Sequence, residues 1–342
     1  MSRVAVIGHF GIGLDLANGQ TIKTKIVTEE IEKYCSEKVM IIDAHGGVKA
    51  IIPVIIGSVK ALVRNKNIIL MLTENGLKVS IPVLSFFNKF FHRRLHYVVV
   101  GGWLPDFLKE QPKLLKKLKS FHMIYVETHN MKIRLKEMGL CNVVVMPNCK
   151  RLDIVSEPEK CMEPYLLCTF SRVMKEKGIE DAVNAVKYAN ECLGKVVYHL
   201  DIYGQIDSNQ TEWFERLKQE FPDYIRYCGL VKYDQSVEVL KPYFALLFPT
   251  YYEGEGFAGT AIDAFSAGVP VLASDWKYNS EVVREHINGG LFEAKNVGDL
   301  SNRLIEIAKN PDLWMAMRKQ CISDANIYKP DNVMKTLLKE LA

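Results

Sequence analysis

Glu255 and Asp263 stand eight residues apart at the ends of the run EGFAGTAID, with Gly256, Gly259 and Thr260 between them. Small residues at the start of a helix let an anion approach the backbone N–H groups that have no partner there. Asp263 falls inside the same helix, where a buried carboxylate is costly unless it is hydrogen-bonded. Vicinal hydroxyls supply two donors in the geometry that a carboxylate accepts. Two carboxylates bracketing an anion-binding helix end therefore suit a ligand built as sugar, diphosphate and ribose. A second cluster, FSRVMKEKG, places Arg172 just past an apolar run and Lys177 five residues on, before Gly178 and a helical pattern. A forked guanidinium and a compact ammonium suit two adjacent phosphates. Taken singly, each segment also reads as ordinary structure, a glycine turn before a core helix or a solvated basic loop.

A third candidate is the glycine loop Gly8-His9-Phe10-Gly11-Ile12-Gly13, with Asp43 closing the next strand pattern. The dinucleotide-binding turn reads G-x-G-x-x-G, whereas this loop reads G-x-x-G-x-G and runs on through LDLANGQ before the helical pattern TIKTKIVTEEIEKY. The loop is too long for a tight pyrophosphate turn. Gly11 and Gly13 read as a flexible contact to phosphate or acceptor, or as a structural turn. Gly102, in Gly101-Gly102-Trp103, ends a later strand pattern in the same way.

These segments fall at the ends of apolar, β-rich runs. RVAVIGH, KVMIIDA, NIILMLT, LHYVVVGG, FHMIYVET and NVVVMPN alternate with helical patterns in the first half. YLLCTFS, VVYHLDIYG, IRYCGL, ALLFPT and VPVLASD repeat the theme in the second. Continuous apolar strands separated by helices imply parallel sheets covered on both faces, and such sheets bind ligands beyond the carboxyl ends of their strands. The length of 342 residues suits two α/β units, with a seam in PNCKRLDIVSEPEKCMEP. The eight scattered cysteines include no C-x-x-C pair and read as reduced thiols. VKAIIPVIIGSVKALV is too interrupted by Pro53, Gly57 and lysines for a spanning helix. With a first strand beginning almost at Met1, the reading is a soluble, cytoplasmic protein.

The run from Glu255 to Asp263 resembles the E-x7-E motif of retaining glycosyltransferase family 4. FSRVMKEKG resembles the strand–Arg–x4–Lys–Gly segment of that family. HLDIYGQ, IRYCGLV, SAGVPVLASD and VVVMPNCK resemble further ordered motifs, and YYEGEGF with NGQTIKT is similar to bacterial capsular and exopolysaccharide enzymes. The match spans roughly residues 165–295 and is looser in the first half. The resemblance implies the GT-B fold: α/β, two Rossmann-like domains facing each other across a cleft, with a C-terminal helix crossing back. On it, residues 1–155 would be an acceptor-binding domain, 156–325 a nucleotide-sugar-binding domain, and 326–342 the returning helix. By position, Arg172 and Lys177 would hold the donor diphosphate, Glu255 the sugar hydroxyls, Asp263 the ribose, and the Gly256–Thr260 backbone the phosphates. Gly204, Leu230, Val231, Gly256, Phe257, Ala258, Gly259 and Thr260 would line the donor site. Asp263 replaces the usual Glu, and Gly101-Gly102-Trp103 stands where the family often carries His or Asp.

The implied activity is metal-independent hexosyl transfer from a nucleotide sugar, a UDP-sugar, to a glycan or lipid-linked glycan in surface polysaccharide biosynthesis, with no cofactor. A sugar-nucleotide epimerase or hydrolase of the same fold, or a non-catalytic nucleotide-sugar-binding subunit, are the rival readings. The net charge of +4 conceals an asymmetry: residues 1–155 carry 23 Lys/Arg against 12 Asp/Glu. No aromatic–basic nucleic-acid module accompanies it. NKFFHRRLHY and LKEQPKLLKKLKSFH interleave apolar residues with cations, which suits an anionic membrane surface. The expected location is peripheral, on the inner face of the membrane.

Overall fold

The computed structural model describes residues 3–14, 19–35 and 38–342. Part of the expected loop through LDLANGQ, residues 15–18, lies outside the described residues. The chain divides into two compact units, Met1–Arg151 with Tyr328–Ala342, and Leu152–Ile327.

Unit 1 runs β1 (Val4–Gly8), α1 (Gly19–Glu32), β2 (Met40–Asp43), α2 (Ile51–Arg64), β3 (Asn67–Met71), α3 (Glu74–Phe91), β4 (Arg94–Val98), α4 (Leu104–Glu110), α5 (Pro112–Leu118), β5 (Met123–Val126), α6 (His129–Glu137) and β6 (Val143–Val145). Its sheet has the order β2-β1-β3-β4-β5-β6, and every pairing is parallel. All residues of β1 and β3 are buried, as central strands covered on both faces require. Right-handed crossovers send α1 to one face and α2 and α3 to the other, because the chain first steps outward to β2 and then returns past β1.

Unit 2 repeats the plan: β7 (Tyr165–Phe170), α7 (Ile179–Cys192), β8 (Tyr198–Tyr203), α8 (Thr211–Lys218), β9 (Ile225–Gly229), α9 (Ser236–Leu240), β10 (Ala245–Phe248), α10 (Gly259–Ser266), β11 (Val271–Ser274), β12 (Gly289–Phe292), α11 (Val297–Lys309), α12 (Pro311–Ala316) and α13 (Arg318–Ile327). The parallel sheet has the order β12-β11-β10-β7-β8-β9. Its core is filled by Val183 and Val186 of α7, Leu200 and Ile202 of β8, and Leu300 and Leu304 of α11, which packs against α7. The edge strand β12 escapes a reading from residue type because it opens on Gly289-Gly290. A Cβ on Gly289 would lie 2.0 Å from the Val271 carbonyl oxygen, so close pairing with β11 demands glycine there.

The last residues form α14 (Pro330–Val333) and α15 (Lys335–Leu341), which belong to unit 1. The α15 carbonyls accept from Asn67 Nδ2 (3.3 Å, Leu341) and Arg94 Nη1 (3.2 Å, Glu340), and the Glu340 carboxylate meets His122 Nε2 at 2.9 Å. Beneath this lies His96, fully buried and between Tyr125 Oη and Asn67 Oδ1, each at 3.2 Å. All eight cysteines are free thiols.

Candidate functional site

In unit 2 the expected residues gather at the carboxyl ends of β7 and β10, neighbours in the sheet. The loop after β7 carries Arg172 and Lys177, and two glycines shape it. Gly204 has φ +139°, and a Cβ there would stand 1.8 Å from the Ser171 carbonyl oxygen. Gly178 has φ +68°, and its Cβ would stand 2.1 Å from the Pro249 carbonyl oxygen. Only glycine lets β8 and β10 approach the loop this closely. Gly204 thus has a structural task beside its expected donor-binding one.

Lys177 Nζ lies 2.5 Å from Glu255 Oε2, with side chains 14% and 10% exposed. The Thr250 hydroxyl donates to the same oxygen at 2.8 Å. Among the described residues, no group bonds Oε1. The Lys177 ammonium also sits over the rings of Tyr252 (5.1 Å) and Phe248 (5.7 Å). A half-buried ion pair persists only when further bonds satisfy its members, and Thr250 with the two rings supplies them. Arg172 is more open, 55% exposed, with Nη1 3.6 Å from Asp207 Oδ2.

Gly256, Phe257 and Ala258 form a buried approach to α10. Gly259 opens the helix with no side-chain cap, so its first N–H groups face no intrahelical acceptor. The Thr260 hydroxyl bonds the Phe170 carbonyl at 2.7 Å and ties that helix end to β7. Asp263, 1% exposed, accepts from Ser236 Oγ at 2.9 Å. Leu230 is exposed and Val231 half-buried just past β9. The Tyr251–Gly254 loop is held by Trp276 Nε1 to the Tyr252 carbonyl (2.9 Å) and by Lys277 to Glu253 Oε2 (2.8 Å).

Sequence reasoning missed Thr250 and Ser236, which hold the two carboxylates. Thr250 carried one usable signal, a polar residue directly after the apolar run ALLFP. Ser236 carried none, because its partner lies on a different element.

In unit 1 the glycine loop closes on Asp43. Its carboxylate accepts from the backbone N–H of Phe10 (3.0 Å), Ile12 (2.9 Å) and His45 (2.9 Å). Burial pushes the Asp43 pKa up, but the bonds from Ile12, His45, Phe10 and Gly11 outweigh it and hold it below the usual carboxylate range. The acid that closes β2 is thus engaged with its own loop, in line with the spacing that already spoke against a dinucleotide site. Gly11 (φ +58°) and Gly13 (φ +82°) provide the left-handed turns of that loop. Gly102 is buried beside Gly101, whose N–H donates to Glu127 Oε2 at 3.3 Å. Glu127 Oε1 in turn meets Lys23 Nζ at 2.5 Å, both side chains 2% exposed. Lys23 was not among the residues singled out from the sequence. No group of three or more His, Cys, Asp and Glu able to hold a metal occurs among the described residues.

Two Rossmann-like units, an uncapped helix start and a Lys–Glu pair beside it define the architecture of a GT-B protein. The chain belongs to the family described as glycosyl transferases group 1, whose model matches residues 150–326, just over half of it. It is 23% identical over 173 residues to an uncharacterized glycosyltransferase of Methanocaldococcus jannaschii, covering 48% of this chain and 42% of that protein. It is 30% identical over 186 residues to the GtfA subunit of a UDP-N-acetylglucosamine–peptide N-acetylglucosaminyltransferase of Streptococcus gordonii, covering 54% and 35%. These matches span less than half the length of either relative. Among solved structures, sucrose-phosphate synthase from Thermosynechococcus elongatus superposes with a TM-score of 0.78 at 15% identity, covering 100% of this chain and 99% of that one. Anabaena HepE in complex with UDP and glucose gives 0.76 at 12%, with the same coverage. At these identities the likeness is one of fold.

Proposed function

We propose that this protein is a retaining, metal-independent hexosyltransferase that moves a sugar from a UDP-sugar to a glycan acceptor, lipid-linked, in surface polysaccharide biosynthesis. The observation that carries the donor half is the Lys177–Glu255 contact at the start of α10. One cation, one carboxylate with an unengaged oxygen and a set of helix N–H groups meet there, the complement of a sugar joined to a diphosphate. That HepE is solved with UDP and glucose, and pneumococcal GtfA with UDP and GlcNAc, supports UDP as the nucleotide.

In this reading Arg172, Lys177 and the α10 N–H groups neutralise the departing diphosphate, the largest electrostatic contribution to the barrier. Glu255 Oε1 accepts from sugar hydroxyls and steadies the ring as positive charge develops on it. Asp263 exchanges the Ser236 hydroxyl for a ribose hydroxyl. The leaving phosphate oxygen takes the acceptor proton, so no protein nucleophile is required. The acceptor belongs to unit 1, whose loops at Gly11–Gly13 and Gly101–Trp103 present backbone groups at strand ends. The basic surface of that unit supports an address on the inner face of an anionic membrane. No helix among the described residues is long and apolar enough to cross one.

The test is a panel of nucleotides and nucleotide sugars in thermal unfolding, followed by donor turnover with and without glycolipid acceptor. Stabilisation by UDP and UDP-sugars above GDP and ADP, with acceptor-dependent turnover that survives a chelator, is the expected result. Full turnover without acceptor would instead make the protein an epimerase or hydrolase.

A further inference from the structure

Helix α2 is apolar on both sides. Val54, Ser58, Ala61 and Leu62 are buried, yet Ile52, Ile56 and Val63 on the opposite side are 53–69% exposed. Their spacing of i, i+4 and i+11 puts them in one row. Helix α3 packs against α2 and repeats the arrangement. Leu77, Ile81 and Leu84 face the core, while Phe86 and Phe90 are 56% and 71% exposed, with ring centroids 6.2 Å apart. A surface helix ordinarily turns polar residues outward, so two adjacent helices with exposed aliphatic and aromatic rows mark a face with a partner.

The charges around this face select the partner. Helices α2, α3 and α5 carry Lys60, Arg64, Lys78, Lys89, Lys113, Lys116 and Lys117 against a single acid, Glu74, in the first turn of α3. Helix α5 packs against α3, so its lysines border the phenylalanines. An apolar strip set among cations, nearly free of acids, complements a layer of anionic headgroups over hydrocarbon. A protein partner, by contrast, would leave most of these lysines without counter-charges unless it were strongly acidic.

We infer that the α2–α3 face is the membrane-docking surface: Ile52, Ile56, Val63, Phe86 and Phe90 enter the headgroup–acyl boundary while the lysines of α3 and α5 engage anionic headgroups. This rests on the membrane address proposed above and names the surface that provides it.

The experiment is flotation of the full chain with mixed phosphatidylcholine–phosphatidylglycerol vesicles and with phosphatidylcholine alone, at low and high salt. Thermal stabilisation by UDP is read on every protein. Wild type should bind the anionic vesicles and weaken as salt rises. The variant Ile52→Ser/Ile56→Ser/Phe86→Ser/Phe90→Ser should bind roughly tenfold or more weakly. The same four positions changed to Leu should bind near wild type, because apolarity and not shape is required. Unchanged flotation of the serine variant, or equal binding to neutral vesicles, overturns the assignment. So does a wild-type dimer that ignores vesicles and becomes a monomer on serine substitution, since the face would then join two copies. Capture of a strongly acidic protein in place of vesicles overturns it equally. Failure of UDP to stabilise wild type sinks the donor reading and leaves this result to stand on flotation alone.

Discussion

Lys177 and Glu255 are one unit: the ammonium lies 2.5 Å from Oε2, the oxygen that also accepts the Thr250 hydroxyl. A pair in contact shares its energy, so changes at the two positions do not add. Glu255→Gln should cut turnover about 10- to 150-fold, the equivalent of one charged hydrogen bond of about 1.5–3 kcal/mol. Lys177→Ala should cost a similar factor, and the double variant clearly less than their product. Independent, multiplicative losses in a kinetic double-mutant cycle would separate the two residues into unrelated roles.

Binding should show which part of the nucleotide the cations hold. Arg172→Ala and Lys177→Ala are expected to weaken UDP far more than uridine in calorimetric titration, because the point charges address the diphosphate. Equal losses for both ligands would place these residues at the base or the ribose instead.

Gly204→Ala tests the loop architecture. The added Cβ would meet the Ser171 carbonyl oxygen, and alanine must also adopt a φ of +139°. A loss of about 2–4 kcal/mol is expected, read from the denaturation midpoint. Gly194→Ala is the control for backbone strain alone, since a Cβ there meets nothing within 4 Å although φ is +68°. Similar losses for the two would refute the crowding argument.

Stability should fall in acid through His96. Burial, then the nearby charges of His122 and Arg94, lowers its pKa from 6.5 to about 3. Between those values the unfolded chain binds a proton that the native chain refuses. The contribution of the neutral imidazole is therefore complete above pH 6.5 and is lost as pH falls towards 3. This group alone gives a slope of up to about 1.4 kcal/mol per pH unit. Urea titrations from pH 7 to pH 4 should show His96→Gln with a shallower decline than wild type. Parallel declines would mean that His96 is protonated in the native state without cost.

The residues themselves determined the alternation of strands and helices, because central parallel strands such as NIILM must be apolar along their whole length. They also determined where polar chemistry falls, since glycines and charges collect after the strands β1, β7 and β10. The segment order carried the glycosyltransferase class, as the match to glycosyl transferases group 1 over residues 150–326 bears out. What no single segment could state is which partners those charges meet. Lys177 and Glu255 are 78 residues apart in the chain and touch only because β7 and β10 are neighbours in the sheet. The loop spacing already spoke against a dinucleotide site at Asp43, but only the tertiary fold shows that the N–H groups of Phe10 and Ile12 turn onto it. Nothing in the helical pattern of α1 set Lys23 apart, and its buried partner Glu127 comes from the far side of the sequence, just after β5. Periodicity and composition are local properties, and hydrogen bonds between distant elements are decided by strand order and crossover hand. The same limit applies to α2: its apolar run is too interrupted to span a membrane, but which of its residues are buried and which face outward only the tertiary structure decides.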